Sequence, residues 1–170
     1  MNICLIGDSL TSLALAKNLV NNKIKVSVYC KKKHKKESIS RTIGISQNNL
    51  DFFNNEILKF KKNIVWNLNQ IEIYRNQDEK DYKILNFQRS NQILFSMVRS
   101  GKIYNLLNDD LKKNKLFNKI LIKSDKFYDD ILKNKKYENI INYEKNNKIS
   151  KKYFFKKFKK NYQSNALTTI

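Results

Sequence analysis

Residues 2–30 read as a short apolar strand, a turn, a helix with one apolar face and a second short strand, and few architectures accept that order. Asn2-Ile3-Cys4-Leu5-Ile6 has the length and continuous apolarity of a buried strand. Gly7-Asp8-Ser9-Leu10-Thr11-Ser12 supplies the turn, Leu13 through Val20 the helix, and Lys25-Val26-Ser27-Val28-Tyr29 the returning strand. Strands joined through a helix lie parallel, and a parallel sheet is covered on both faces. The expected fold class is therefore α/β, with a Rossmann-like parallel sheet opened by this βαβ unit.

A turn of this kind aims the free N–H groups of a helix N-terminus at an anion, a pyrophosphate above all. The dinucleotide fingerprint asks for glycine at three places: for the tight turn, for close approach to phosphate and for helix–strand contact. Only Gly7 meets it. Ser9 and Ser12 occupy the other two places, with Asp8, Leu10 and Thr11 between them. The Ser9 and Ser12 hydroxyls offer donors to a phosphate oxygen, while their Cβ atoms narrow the approach. Cys30 stands where an acid would hold a ribose hydroxyl at the end of the second strand. From this segment alone, a nucleotide site and a nucleotide-free βαβ scaffold acting as a partner subunit are both open.

Net charge pulls toward a different reading. Thirty-five Lys and Arg against 15 Asp and Glu leave +20, enough to suggest phosphate backbones or anionic lipid. Only Arg41, Arg75, Arg89 and Arg99 are arginines, so bidentate recognition of bases and phosphates is largely absent. Lysines are spread among many Asn and Ile with no Pro, which is the signature of A- and T-rich codons. No specific nucleic-acid partner is expected. The runs at 31–36 and 151–160 leave peripheral contact with an anionic membrane as an expectation. No apolar run approaches the roughly 18 residues of a membrane span, and the start has no signal-peptide pattern. Cys4 in a core strand and Cys30 at a strand end point to a reducing compartment, so the expected location is cytoplasmic, peripheral to the inner membrane if the lysine runs engage it.

Against that bias the three glycines carry information: Gly7, Gly44 in Arg41-Thr42-Ile43-Gly44-Ile45-Ser46, and Gly101 before a helix. The Arg41–Ser46 segment is followed by an amphipathic helix striped by Leu50, Phe53 and Ile57. Trp66 precedes an alternating strand, Ile71–Arg75, and Tyr82–Phe87 is a second strand able to pair with it. Ser96–Arg99 then leads into a helix with Lys102 in its first turn and Ile103, Leu106, Leu107 and Leu111 along one side. The end of the chain, residues 161–170, reads as a tyrosine-containing strand closing on Ala, Leu and Thr.

In this order the segments resemble the N-terminal portion of FAD-dependent aromatic hydroxylases, flavoprotein monooxygenases of ubiquinone biosynthesis. The resemblance implies one FAD-binding-type domain over residues 1–170, shorter than the family's. Within it, residues 66–98 form a small β insertion on the substrate side. It implies FAD as cofactor, NAD(P)H as electron donor and a small aromatic quinone precursor as substrate, with other proteins of that pathway as partners. Residues 7–12 would face the pyrophosphate, and Arg41 and Lys102 would add positive charge. Chemistry would belong to the flavin, which activates oxygen while the protein positions the ring and excludes water. No catalytic side chain is expected.

Two departures accompany the resemblance. The family's Asp-Gly after a middle strand is matched by Glu144-Lys145 following Tyr137–Tyr143. Glu144 is thus a cofactor-site candidate, or else a solvated acid, and FAD binding is expected to be weakened or lost. The family's later flavin motif, rich in Asp, Pro and Gly, has no counterpart here, so the expectation is an incomplete or split enzyme, inactive alone. His34, the sole histidine, sits among lysines and reads as a solvated side chain. With two distant cysteines there is no metal-ligand spacing, and Ser9 and Ser46 have no His base. Phe52, Phe53, Phe154, Phe155 and Phe158 read as core or hairpin packing, not as stacking platforms.

Overall fold

A computed structural model describes residues 1–31, 41–77, 80–88, 92–133, 136–154, 156, 158, 160, 161 and 163. His34, most of the first lysine run, Phe155 and residues 164–170 of the expected last strand lie outside them.

A parallel four-stranded sheet organises the chain. β1 (Asn2–Ile6) is followed by α1 (Leu10–Asn21) and β2 (Lys25–Cys30), as the opening pattern requires. β1 and β2 pair in register from Asn2–Lys25 to Ile6–Tyr29. α1 ends because Lys23 adopts φ +64°, letting Ile24 N–H reach Leu19 O at 3.0 Å and Lys23 N–H reach Val20 O at 3.1 Å. This is a Schellman stop, with lysine where glycine is usual.

Residues 41–99 leave the main sheet. β3 (Thr42–Ser46) leads into α2 (Gln47–Phe52), a π-helical turn over Phe53–Ile57 and a 3₁₀ turn over Lys62–Ile64. Then come β4 (Val65–Leu68), β5 (Gln70–Gln77), β6 (Lys80–Gln88) and β7 (Phe95–Arg99). β7 lies between β3 and β4 in an antiparallel sheet, while β5 and β6 form a separate antiparallel hairpin. α3 (Ser100–Lys112) brings the chain back to β8 (Phe117–Leu121), with Gly101 inside the helix instead of before it. α4 (Lys126–Lys133), β9 (Asn139–Asn142) and α5 (Lys148–Tyr153) follow, and the main sheet has the order β8-β2-β1-β9, all parallel.

Strand alternation divides the core between the two faces. Ile3, Leu5, Val26 and Val28 pack against Leu13, Ala16 and Val20 of α1 and Ile103, Leu107 and Leu111 of α3. Val98 of β7 joins this layer, which anchors the small sheet. Cys4, Ile6 and Tyr29 face the opposite layer, with Tyr128 and Ile131 of α4. Lys17 and Asp110 tie α1 to α3 at 2.6 Å. Among the aromatics expected to pack, Phe53 stacks on Phe60 at 4.5 Å. Phe52, Phe154 and Phe158 are exposed instead: Phe52 ends α2, while Phe154 and Phe158 lie beyond the end of α5.

Candidate functional site

The strand order reverses at β1. The chain moves from β1 to β2 to β8 on one side and places β9 on the other. Such a reversal opens a crevice at the carboxyl ends of the strands, and Gly7 sits there. Its N–H donates to Tyr29 O at 2.7 Å, while Tyr143 N–H donates to Ile6 O at 2.8 Å. The turn is therefore held from both neighbouring strands. Gly7 has φ +99°, and a Cβ built on it would stand 3.2 Å from Glu144 Cγ and 3.4 Å from Tyr143 Cβ. Both the conformation and the space require glycine.

Ser9 is the N-cap of α1: its Oγ accepts from Ser12 N–H at 3.3 Å. That uses an acceptor lone pair of Ser9 Oγ and leaves its O–H as a donor. The first-turn amides of Leu10 and Thr11 have no intrahelical acceptor, as at any helix start. Ser12 is fully buried, and its Oγ is a buried oxygen without a hydrogen-bond partner among the described residues.

Asp8 is buried beside the turn. Its Oδ2 accepts from Tyr104 OH at 2.9 Å and pairs with Lys119 Nζ at 2.8 Å. Lys119 also donates to Tyr104 OH at 3.0 Å and Asn108 Oδ1 at 3.2 Å. Burial opposes the Lys119 charge, yet the bonds to Asp8 and Tyr104 hold its ammonium above the ordinary range. Burial likewise pushes the Tyr104 hydroxyl up.

On the other side, Glu144 follows β9 and lies against Gly7, the place its register suggested. Its Oε2 accepts from Tyr128 OH at 3.1 Å, so it is a partly buried, paired acid and not a solvated one. The loop carrying it is fixed by Asn142, whose Oδ1 accepts from Glu144 N–H at 3.1 Å and from Asn147 Nδ2 at 2.8 Å. Asn147 in turn caps α5 by accepting from Ser150 N–H at 2.8 Å. Lys145 is not among the described residues with positive φ, so the turn after Glu144 does without the glycine conformation. Desolvation, then the charge of Glu144, raises the Tyr128 hydroxyl.

Cys30 is buried, with Sγ 3.9 Å from Ile120 O. Burial and the nearby Asp8 charge push its thiol up, so it is a neutral group at the end of β2. Arg41 and Lys102 are exposed. Arg41 O accepts from Ser100 N–H at 2.8 Å, joining the start of β3 to the start of α3. Lys102 Nζ stands 6.0 Å from the Trp66 ring, which Arg99 also approaches. The fold thus gathers Gly7 through Ser12 and Glu144 at one sheet end, with Cys30 closing β2. Arg41 and Lys102 stand elsewhere, beside Ser100 and Trp66.

Sequence reading missed Tyr104, Lys119, Tyr128, Asn142 and Asn147. Tyr104 lies 96 residues from Asp8, a separation no spacing rule spans. Lys119 carried a usable signal: it alternates with Phe117 on β8 and so stands at a core-facing position. No group of three metal-ligating side chains occurs among the described residues, and no described helix is long and apolar enough to cross a membrane.

No family model matches the chain, and no curated protein does. Solved structures do match its fold. One is PqsL from Pseudomonas aeruginosa, a probable FAD-dependent monooxygenase: TM-score 0.58, 10% identity, covering 71% of this chain and 32% of that one. A second is p-nitrophenol 4-monooxygenase PnpA from Pseudomonas putida DLL-E4: TM-score 0.56, 12% identity, covering 69% and 30%. A third is 2,6-dihydroxypyridine-3-hydroxylase from Arthrobacter nicotinovorans: TM-score 0.51, 16% identity, covering 69% and 28%. The chain spans about a third of the length of the structures it matches. The mixed α/β architecture with its parallel sheet agrees with the expected fold class.

Proposed function

We propose that this chain is the FAD-binding portion of a flavin-dependent monooxygenase acting on an aromatic substrate. The observation that carries this is Gly7, held at φ +99° between the ends of β1's two partner strands and at the mouth of α1. A backbone turn in that place leaves the amides of Leu10 and Thr11 for a diphosphate. The residues fit such a group in one further respect: Ser12 keeps a buried oxygen with bonding capacity to spare among the described residues. Support of a different kind comes from the fold shared with proteins described as FAD-dependent or aromatic-ring monooxygenases.

In this proposal Gly7 and residues 9–12 hold the diphosphate, and Cys30 lines the ribose side as a neutral neighbour. Glu144, fixed by Tyr128 and the Asn142 loop, borders the opposite side. FAD supplies the oxidation, with NAD(P)H as donor; the chain binds, orients and excludes water. The substrate proposed is a small aromatic quinone precursor. Residues 66–98 would wall its side, since Trp66, Ile73, Leu85, Phe87 and Phe95 present exposed apolar surface there. The relatives' complete reaction belongs to chains about three times as long.

The test is FAD titration of the purified chain and of Gly7→Val, followed by quenching of flavin fluorescence. Binding by the first and its loss in the second is expected. Negligible binding by both removes FAD from this chain.

A further inference from the structure

We infer that Lys119 and Tyr104 are positioning residues of the anion site: they cancel the charge that Asp8 brings into the turn, so that the turn can receive a diphosphate. This rests on the FAD reading above and goes beyond it, because neither residue belongs to the turn or to its fingerprint.

Asp8 lies between Gly7 and Ser9, inside the very backbone that would face the ligand. An unpaired carboxylate there falls within the Debye length, about 8 Å, of any bound diphosphate and would repel it. Instead Asp8 is 7% exposed and receives, among the described residues, the Lys119 ammonium at 2.8 Å and the Tyr104 hydroxyl at 2.9 Å. Tyr104 also accepts from Lys119, which joins the turn, α3 and β8 in one network.

Stability does not explain the arrangement. Lys119 stands at a strand position whose neighbour on the same face, Phe117, packs against the core. An apolar residue there would suit the layer, and a buried ion pair seldom outdoes well-packed apolar groups. What the pair does achieve is cancellation of the Asp8 charge at the mouth of α1.

The 170-residue chain and three variants, Lys119→Met, Asp8→Asn and the double substitution, would be titrated with FAD at low and at physiological salt. Far-UV circular dichroism would verify that each is folded. Lys119→Met should weaken FAD binding about tenfold or more, because the Asp8 carboxylate beside the diphosphate loses its Lys119 ammonium. Asp8→Asn should bind as tightly as the parent or more so, with a steeper fall in affinity as salt rises, because Lys119 then faces the anion alone. The double variant should return to within about threefold of the parent. A merely structural pair would move stability in all three and leave the salt dependence of FAD binding alone. Should Lys119→Met fail to fold, Asp8→Asn and the double variant still decide. Weaker binding by Asp8→Asn with an unchanged salt slope, or an unaffected Lys119→Met, overturns the inference while the cofactor reading stands. Absence of FAD binding by the parent overturns both.

Discussion

Replacing Gly7 by alanine should cost this protein about 2–3 kcal/mol of folding free energy, and the sum has two separable parts. At φ +99° an L-residue is strained whatever space surrounds it, which accounts for about 1–2 kcal/mol. The new Cβ would also stand 3.2 Å from Glu144 Cγ and 3.4 Å from Tyr143 Cβ. Tyr143 Cβ is fixed to backbone paired with Ile6 and cannot retreat. Glu144 can swing away, at the loss of its Tyr128 hydrogen bond, about 1 kcal/mol. Urea unfolding followed by circular dichroism measures the total. The same substitution in a Glu144→Ala background, compared with Glu144→Ala alone, isolates the backbone part. That remainder should stay above about 1 kcal/mol. A loss under about 0.5 kcal/mol for Gly7→Ala, or its complete disappearance in the Glu144→Ala background, would refute the claim that the turn's backbone demands glycine.

Leu107 is completely buried where α3 meets the sheet, and Leu107→Ala should lower the unfolding free energy by about 3–4 kcal/mol in the same assay; a loss below 1.5 kcal/mol would mean the two-helix layer is loosely packed. Cys4 titrates differently from an exposed thiol: its burial pushes the thiol up to about 12 from an ordinary 9.0. The unfolded chain therefore releases that proton first, so the Cys4 contribution is fully present below pH 9.0 and is lost as pH rises toward 12. Between pH 8 and pH 10.5 the parent should lose on the order of 1–2 kcal/mol more stability than Cys4→Ala. An equal loss in both would show that Cys4 is not desolvated.

Much of the fold was legible because local chemistry repeats tertiary demand. The apolar run Ile3–Ile6, the stripe of α1 and the Val26–Val28 segment can be satisfied only by a covered parallel pair, and the pair forms in register. The stripe Ile103, Leu106, Leu107 and Leu111 likewise forecast the buried side of α3, Leu106 being only partly buried. Glycine scarcity made Gly7 conspicuous, yet the same bias hid the end of α1, where Lys23 takes a conformation that ordinarily advertises itself with glycine.

The site divides along the same line. Position in the chain was enough to place Gly7, Ser9 and Ser12 at the mouth of a helix, since a turn between a strand and a helix is settled within a few residues. What surrounds that mouth was decided by topology. Only the strand order β8-β2-β1-β9 brings Glu144 against Gly7 and Lys119 against Asp8. Local patterns record which way a side chain faces; they carry no record of which distant strand will lie beside it. Pairing between strands is chosen by the burial of whole layers, and the ion pair at the turn is a consequence of that choice.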